Sequence, residues 1–77
     1  MSQIKNQKLV EQVALKLKAI REERHLTQEI VYHDTGIHIG RIEAGSANIT
    51  LSTLDSLCTY FDTDLAIFFN ELKKENK

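Results

Sequence analysis

The stretch that decides the fold runs from Leu26 to Leu54 and reads LTQEIVYHDTGIHIGRIEAGSANITLSTL. Threonine stabilises the start of a helix, because its side-chain oxygen accepts a hydrogen bond from a backbone N–H of the first turn. On this basis Thr27 caps a short helix over about 28–33, and Thr50 caps a later helix. The middle of the chain is therefore predicted to hold short helices joined by tight connections.

Between these two helices the sequence predicts another, from about 35 to 44. Asp34 or Thr35 can cap its start, and Gly45 ends it, because glycine accepts the left-handed conformation that often follows a helix. This helix is the third in chain order.

The outward face of the third helix has an unusual composition. At about 100° per residue, Ile39 and Ile42 point to one side, Ile37 and Arg41 point to the other, and His38 lies on the flank. An isoleucine on this face is unfavourable if the face is exposed to water, whereas both the isoleucine and the arginine can make contacts in the major groove of DNA. Arginine bonds to guanine there, and an aliphatic side chain packs on the thymine methyl group. The pattern favours a helix that contacts DNA.

Apolar stripes on both sides of this region predict the remaining helices. One stripe lies within 4–24, a second follows Thr50, and a third follows Asp64, which can cap the last helix. Their inward residues are Val10, Val13, Leu17 and Ile20, then Leu51, Leu54, Leu57, Cys58 and Phe61, then Leu65, Phe68 and Leu72. The expected fold class is all-α, a compact bundle of about five short helices.

Composition narrows the class of protein further. The 77 residues form one predicted domain over 1–77, with an N-terminal extension at 1–9 and a polar tail at 73–77. The single cysteine, Cys58, allows no internal disulfide, and no apolar run reaches the length of a membrane span, so a cytoplasmic location is expected. The net charge is −1 and the last third is acidic, so any DNA surface must be a local patch.

Several motifs, in this order along the chain, resemble the phage-repressor or Cro-type helix-turn-helix family, also called XRE-like. They are Arg21, LTQE at 26–29, IGRIEAG at 39–45, Asn48, and the leucines at 51 and 54. The resemblance implies a lambda-repressor-like domain that binds operator DNA as a homodimer, with the third helix in the major groove. Stand-alone domains of this size also resemble the controller proteins of restriction–modification systems.

The resemblance implies roles for individual residues. Gln28 matches a residue that contacts phosphate and braces the recognition helix, while Arg21 and Glu43 match a pair that ties helix one to helix three. The full DNA-contacting set that it implies is Gln28, Thr35, Ile37, His38, Arg41, Ser46, Asn48 and Thr50.

The chain is about three residues shorter than the family pattern between Gln28 and Glu43. We prefer the register that keeps the third helix intact and shortens the segment before it. The other register truncates the recognition helix and places Gly36 in the turn. Ile37 faces the groove in the preferred register and can join the core if the register slips, and the sequence leaves both open.

A dimer contact is predicted on the last helix. Phe68 and Phe69 are adjacent and cannot both face one small core, so one of them, with Leu65 or Leu72, is expected to meet a second copy. The alternative is that both aromatic rings pack beneath the N-terminal extension.

Two functions remain open at this point. The leading hypothesis is a homodimeric regulator of transcription that binds a specific double-stranded DNA operator. The alternative is a protein-interaction module, such as an antitoxin that binds a toxin, with DNA binding secondary. No enzyme, cofactor or metal site is predicted, because the histidines at 25, 33 and 38 lack zinc-ligand spacing and no acid–base pair is visible.

Overall fold

The computed structural model describes residues 6–45 and 48–75, and in that part of the chain the secondary structure is entirely helical. The helices are α1 (Gln7–Glu23), α2 (Gln28–Thr35), α3 (Ile39–Glu43), α4 (Leu51–Tyr60) and α5 (Leu65–Glu75). The predicted all-α class is confirmed. None of these helices combines the length and the apolar character needed to cross a membrane.

Helix α1 begins and ends at residues with clear physical roles. The side-chain oxygen of Asn6 accepts a hydrogen bond from the backbone N–H of Leu9 at 3.0 Å. The helix ends before His25, whose φ of 57° lies in the left-handed region that histidine tolerates better than most residues. Residues 7–9 of the predicted N-terminal extension belong to α1, within the segment 4–24 where the sequence predicts the first helix. Residues 1–5 lie outside the described part of the chain.

The predicted third helix over 35–44 is wrong in its first half. Helix α2 continues through Thr35, and Gly36 then turns the chain with a φ of 76°. The Thr35 hydroxyl donates to the carbonyl of Val31 at 2.7 Å and accepts from the N–H of Ile37 at 3.0 Å. It therefore closes α2 instead of capping α3. The register with a truncated recognition helix and Gly36 in the turn is the one that the structure adopts.

The two C-terminal helices begin where the sequence predicts. Thr50 accepts a hydrogen bond from the N–H of Thr53 at 3.1 Å, and Asp64 accepts one from the N–H of Ile67 at 2.8 Å. Two details differ from the prediction. Leu51 does not join the apolar stripe of α4, since it is 70% exposed. Residues 73–75 of the predicted polar tail belong to α5.

The core draws side chains from every helix. The fully buried ones are Leu17, Val31, Ile39, Leu57, Cys58, Phe61 and Phe68. Burying a large apolar side chain contributes about 1.5–3 kcal/mol, so this cluster is the main source of stability. Helix α1 packs on α3 and α5, and α2 packs on α3 and α4. The short α3 is thus fixed by two longer helices.

Two of the four predicted dimer residues are instead core residues. Phe68 is completely buried and Leu72 is 7% exposed within the single chain, and both side chains belong to the core cluster. Phe69 stands edge-on to Phe68 and is 36% exposed, while Leu65 is half-buried against the core. Of the aromatic pair, Phe69 is therefore the one that faces outward.

Candidate nucleic-acid interface

An ion pair between α1 and α3 positions the site. Arg21 donates to both carboxylate oxygens of Glu43, at 2.7 Å from Nε and 2.9 Å from Nη2, and its Nη1 donates to the carbonyl of Leu26 at 2.7 Å. Both side chains are nearly buried, at 10% and 3% exposure. The predicted tie between helices one and three is therefore present. It also holds the connection that leads into α2.

The electrostatics of this pair favour its charged form. Hydrogen bonds to Glu43 raise the pKa of the Arg21 guanidinium. Burial alone would raise the pKa of the Glu43 carboxyl, but hydrogen bonds from Arg21 and Gln28 together hold that pKa below its ordinary value. The carboxylate therefore stays ionised and in place at neutral pH.

Gln28 links α2 to α3 in the way the sequence predicts for a bracing residue. Its Nε2 donates to Oε1 of Glu43 at 2.9 Å. The two helices come close here because Gly40 has no side chain. A Cβ atom at position 40 would lie 2.9 Å from the Oε1 atom of Gln28, which is inside the normal contact distance. Gly40 thus permits the packing of Gln28 against the recognition helix.

A surface cleft opens between α2 and α3. Its lining residues are Gln28, Glu29, Tyr32, His38, Ile39, Gly40 and Arg41. Three residues predicted to contact DNA, namely Gln28, His38 and Arg41, are therefore brought together in one place. All three are exposed, whereas Ile39 and Ile42 on the other side of α3 are buried. The predicted inner face of Ile39 and Ile42 is confirmed, and on the predicted outer face Arg41 is exposed.

Two other predicted contacts do not belong to the recognition helix. Thr35 is the last residue of α2, and its hydroxyl is engaged with backbone atoms on both sides. Ile37 lies in the turn, half-buried and packed against the core, which is the alternative that the sequence left open. Neither residue lines the cleft between α2 and α3. Their assignment as third-helix residues is corrected, because α2 continues through Thr35 and α3 begins only at Ile39.

The loop before α4 supplies the remaining predicted residues. Ser46 lies outside the described part of the chain. Asn48 and Thr50 are exposed, and the hydroxyl of Thr50 accepts from the N–H of Thr53 and donates to the Thr53 hydroxyl at 3.0 Å. Thr50 therefore has a structural role as the cap of α4. A phosphate contact from this loop stays a prediction.

Tyr32 belongs to the cleft and was not found from the sequence. Its ring stacks on the imidazole of His38, with centroids 4.3 Å apart and planes 25° from parallel. The available signal was its spacing, since Tyr32 lies four residues after Gln28 and so shares its face of α2. The resemblance to the family implied no role for this residue.

No metal centre emerges from the residues at 6–45 and 48–75, where no three histidine, cysteine, aspartate or glutamate side chains cluster as ligands. Cys58 is fully buried, and this burial raises the pKa of its thiol. A buried thiol with a raised pKa is a poor nucleophile, in keeping with a core role.

Comparison with known proteins identifies the class. Residues 17–68 match the helix-turn-helix family, and this match covers most of the chain. The chain belongs to the XRE-type helix-turn-helix family, whose members are DNA-binding regulators and not enzymes. No curated protein matches the chain closely enough to count as a relative by sequence.

Two solved structures are similar along most of their length. One is the restriction–modification controller protein C.Esp1396I, described as a tetramer in complex with its natural 35 base-pair operator. It is 30% identical, with a TM-score of 0.78 over 87% of this chain and 92% of the other. The second is a tyrosine-to-phenylalanine mutant of the same controller protein, with 30% identity, a TM-score of 0.79, and coverage of 87% and 89%. The predicted likeness to controller proteins is confirmed.

Proposed function

We propose that this protein regulates transcription in the cytoplasm by binding a specific double-stranded DNA operator as a homodimer, with α3 and the preceding turn facing the major groove. One observation carries the proposal. Gln28, His38 and Arg41 converge on one exposed cleft, and the Arg21–Glu43 ion pair fixes α3, the helix that presents Arg41. A preformed surface of this kind lowers the entropic cost of binding.

Each cleft residue has a role that its chemistry supports. Arg41 is the exposed side chain of α3, and an arginine in the major groove can make two hydrogen bonds to a guanine. Gln28 is ordered by its bond to Glu43, so its amide is available to a phosphate without further loss of freedom. Arg41 is assigned to sequence recognition and Gln28 to positioning on the DNA backbone.

Dimerisation is proposed through an apolar groove on another part of the surface. The groove lies between the start of α1, the segment before α4 and the side of α5, and its apolar lining includes Leu9, Ile49, Leu51 and Phe69. Leu51 is 70% and Leu9 is 41% exposed, which is unfavourable unless a partner covers them. A second copy of the chain is the proposed partner, and the similar controller protein is described as a tetramer on its operator.

The experiment is the selection of binding sites from a pool of random duplexes by the purified protein. A homodimeric reader should enrich two inverted half-sites spaced by about one helical turn of about 10 base pairs. The Arg41→Ala variant should lose base preference at one position of each half-site, whereas Arg24→Ala should enrich the same motif as the wild type. Arg24 is a matched control because it is exposed at the end of α1 and does not line the cleft.

The same experiment tests the alternative function. A protein-interaction module would enrich no motif, or would give the same weak enrichment with Arg41→Ala as with the wild type. That result would reject the proposed operator binding and would favour a protein partner.

A further inference from the structure

The stacked pair Tyr32 and His38 lies on the surface of the α2–α3 cleft. Tyr32 is 46% exposed and His38 is also exposed, and both line the cleft together with Arg41. Neither ring belongs to the buried core cluster, so their contact contributes little to the packing of the core.

The geometry shows that the stack orients His38. This residue precedes the first turn of α3, at the position where a side chain usually caps the helix, yet its side chain makes no capping hydrogen bond. The ring instead lies against Tyr32 at a centroid distance of 4.3 Å. The stacking contact uses the face of the ring, so the two nitrogen atoms at its edge remain able to form hydrogen bonds.

The shortness of α3 makes such an oriented ring useful. The helix has five residues, of which Ile39 and Ile42 are buried, Gly40 has no side chain, and Glu43 is bonded to Arg21. Within α3, Arg41 is therefore the exposed side chain that can reach a base. Additional recognition has to come from residues that precede the helix.

We infer that Tyr32 is a positioning residue for sequence recognition, which holds the His38 imidazole with its edge directed at the DNA beside Arg41. The inference rests on the proposed function. An imidazole edge can donate to or accept from a base or a phosphate, and a ring that is already ordered loses less freedom on binding. The tyrosine ring, and not its hydroxyl, performs this role.

A double-mutant cycle tests the inference, with affinities measured by fluorescence anisotropy on the duplex enriched by the wild type. Tyr32→Ala and His38→Ala should each bind about tenfold more weakly, the loss expected for one base contact. The double variant should bind no more weakly than His38→Ala, because Tyr32 acts through His38. Tyr32→Phe should bind like the wild type, since it keeps the stacking ring. The melting temperatures of all variants should stay close together, because both side chains are exposed.

Several results would overturn the inference. The first is that Tyr32→Ala binds the enriched duplex with wild-type affinity. The second is that the affinity losses of the two single variants multiply in the double variant. The third is that Tyr32→Phe loses as much affinity as Tyr32→Ala. If the wild type binds the enriched duplex and Tyr32→Ala binds equally well, only the inference fails. If the wild type itself prefers no duplex, the proposed function fails, and the inference fails with it.

Discussion

The Arg21 guanidinium makes three hydrogen bonds, two to Glu43 and one to the carbonyl of Leu26. It therefore joins α1, the connection before α2, and α3 through one side chain. Glu43 in turn accepts a bond from Gln28, which faces the cleft. Arg21 and Glu43 thus set the position of residues that are proposed to contact DNA.

The Glu43 carboxylate should make the free energy of unfolding depend on pH in the acidic range. Its pKa is lowered in the folded state from an ordinary value of 4.5, so its contribution is present above pH 4.5 and is lost as the pH falls through the folded-state pKa. Urea unfolding followed by circular dichroism between pH 7 and about pH 3 should show a steeper loss of the free energy of unfolding in the wild type than in Glu43→Gln. Glu29→Gln, at an exposed position of α2, is the control and should behave like the wild type. Equal slopes for the wild type and Glu43→Gln would contradict this role.

At the scale of single residues, the sequence predicted contacts correctly where the family motif contains the contacting residues. The resemblance implied the Arg21–Glu43 pair and the bracing role of Gln28, and both are present. It could not reveal the stacking of Tyr32 on His38. That contact exists because the turn places His38, at the start of α3, against α2, and helix periodicity alone does not report how a turn folds.

The element that the sequence misplaced is the turn between α2 and α3. A threonine hydroxyl can cap a following helix, or it can bond to the carbonyl four residues earlier, and the local sequence does not decide between these. Thr35 takes the second option. A distant contact supports the same outcome, since the Tyr60 hydroxyl donates to Asp34 at 2.6 Å and so ties the end of α2 to α4. This bond joins residues far apart in the chain, which local patterns cannot anticipate.

Gly36 is the residue on which this turn depends most. Its φ of 76° is unfavourable for residues with a Cβ atom, and a left-handed residue other than glycine costs roughly 1–2 kcal/mol. Gly36→Ala should lower the free energy of unfolding by about 1 kcal/mol in urea denaturation. Gly36→Asn should cost less, because asparagine tolerates this conformation. Since a Cβ atom at position 36 would meet nothing within 4 Å, a steric clash would not explain the loss. An unchanged stability in Gly36→Ala would argue against the truncated register.

At the scale of the whole molecule, the α2–α3 cleft and the proposed dimer groove share no residue, while Asn48 and Thr50, which the sequence predicts to contact DNA, line the groove. The DNA surface lies between α2 and α3, and the apolar groove is lined by parts of α1, α4 and α5. The sequence predicted that the last helix takes part in dimerisation, but two of the four residues it selected, Phe68 and Leu72, are buried. Of the other two, Leu65 is half-buried and Phe69 is exposed. An apolar residue looks the same in a sequence whether it faces the core or a partner, so only the fold separates the two cases.

The dimer surface can be tested without disturbing the core. Leu51→Glu places a charge in the groove at a position that is 70% exposed, so the fold should persist while dimerisation weakens. Leu15→Glu is the matched control, because Leu15 is 66% exposed on α1 and does not line the groove. Sedimentation velocity should show a dimer for the wild type and Leu15→Glu, and a shift towards monomer for Leu51→Glu. The same dimer in all three proteins would place the interface elsewhere.

The central claim is that the cleft between α2 and α3 binds a particular DNA sequence, and one titration tests it most directly. The affinities of the wild type and Arg41→Ala are measured for the enriched duplex and for a scrambled one, at several salt concentrations. The wild type should prefer the enriched duplex, and its binding should weaken steeply as salt rises. Arg41→Ala should lose about 1–3 kcal/mol on the enriched duplex and much less on the scrambled one. Equal and weak binding of the wild type to both duplexes would contradict the account.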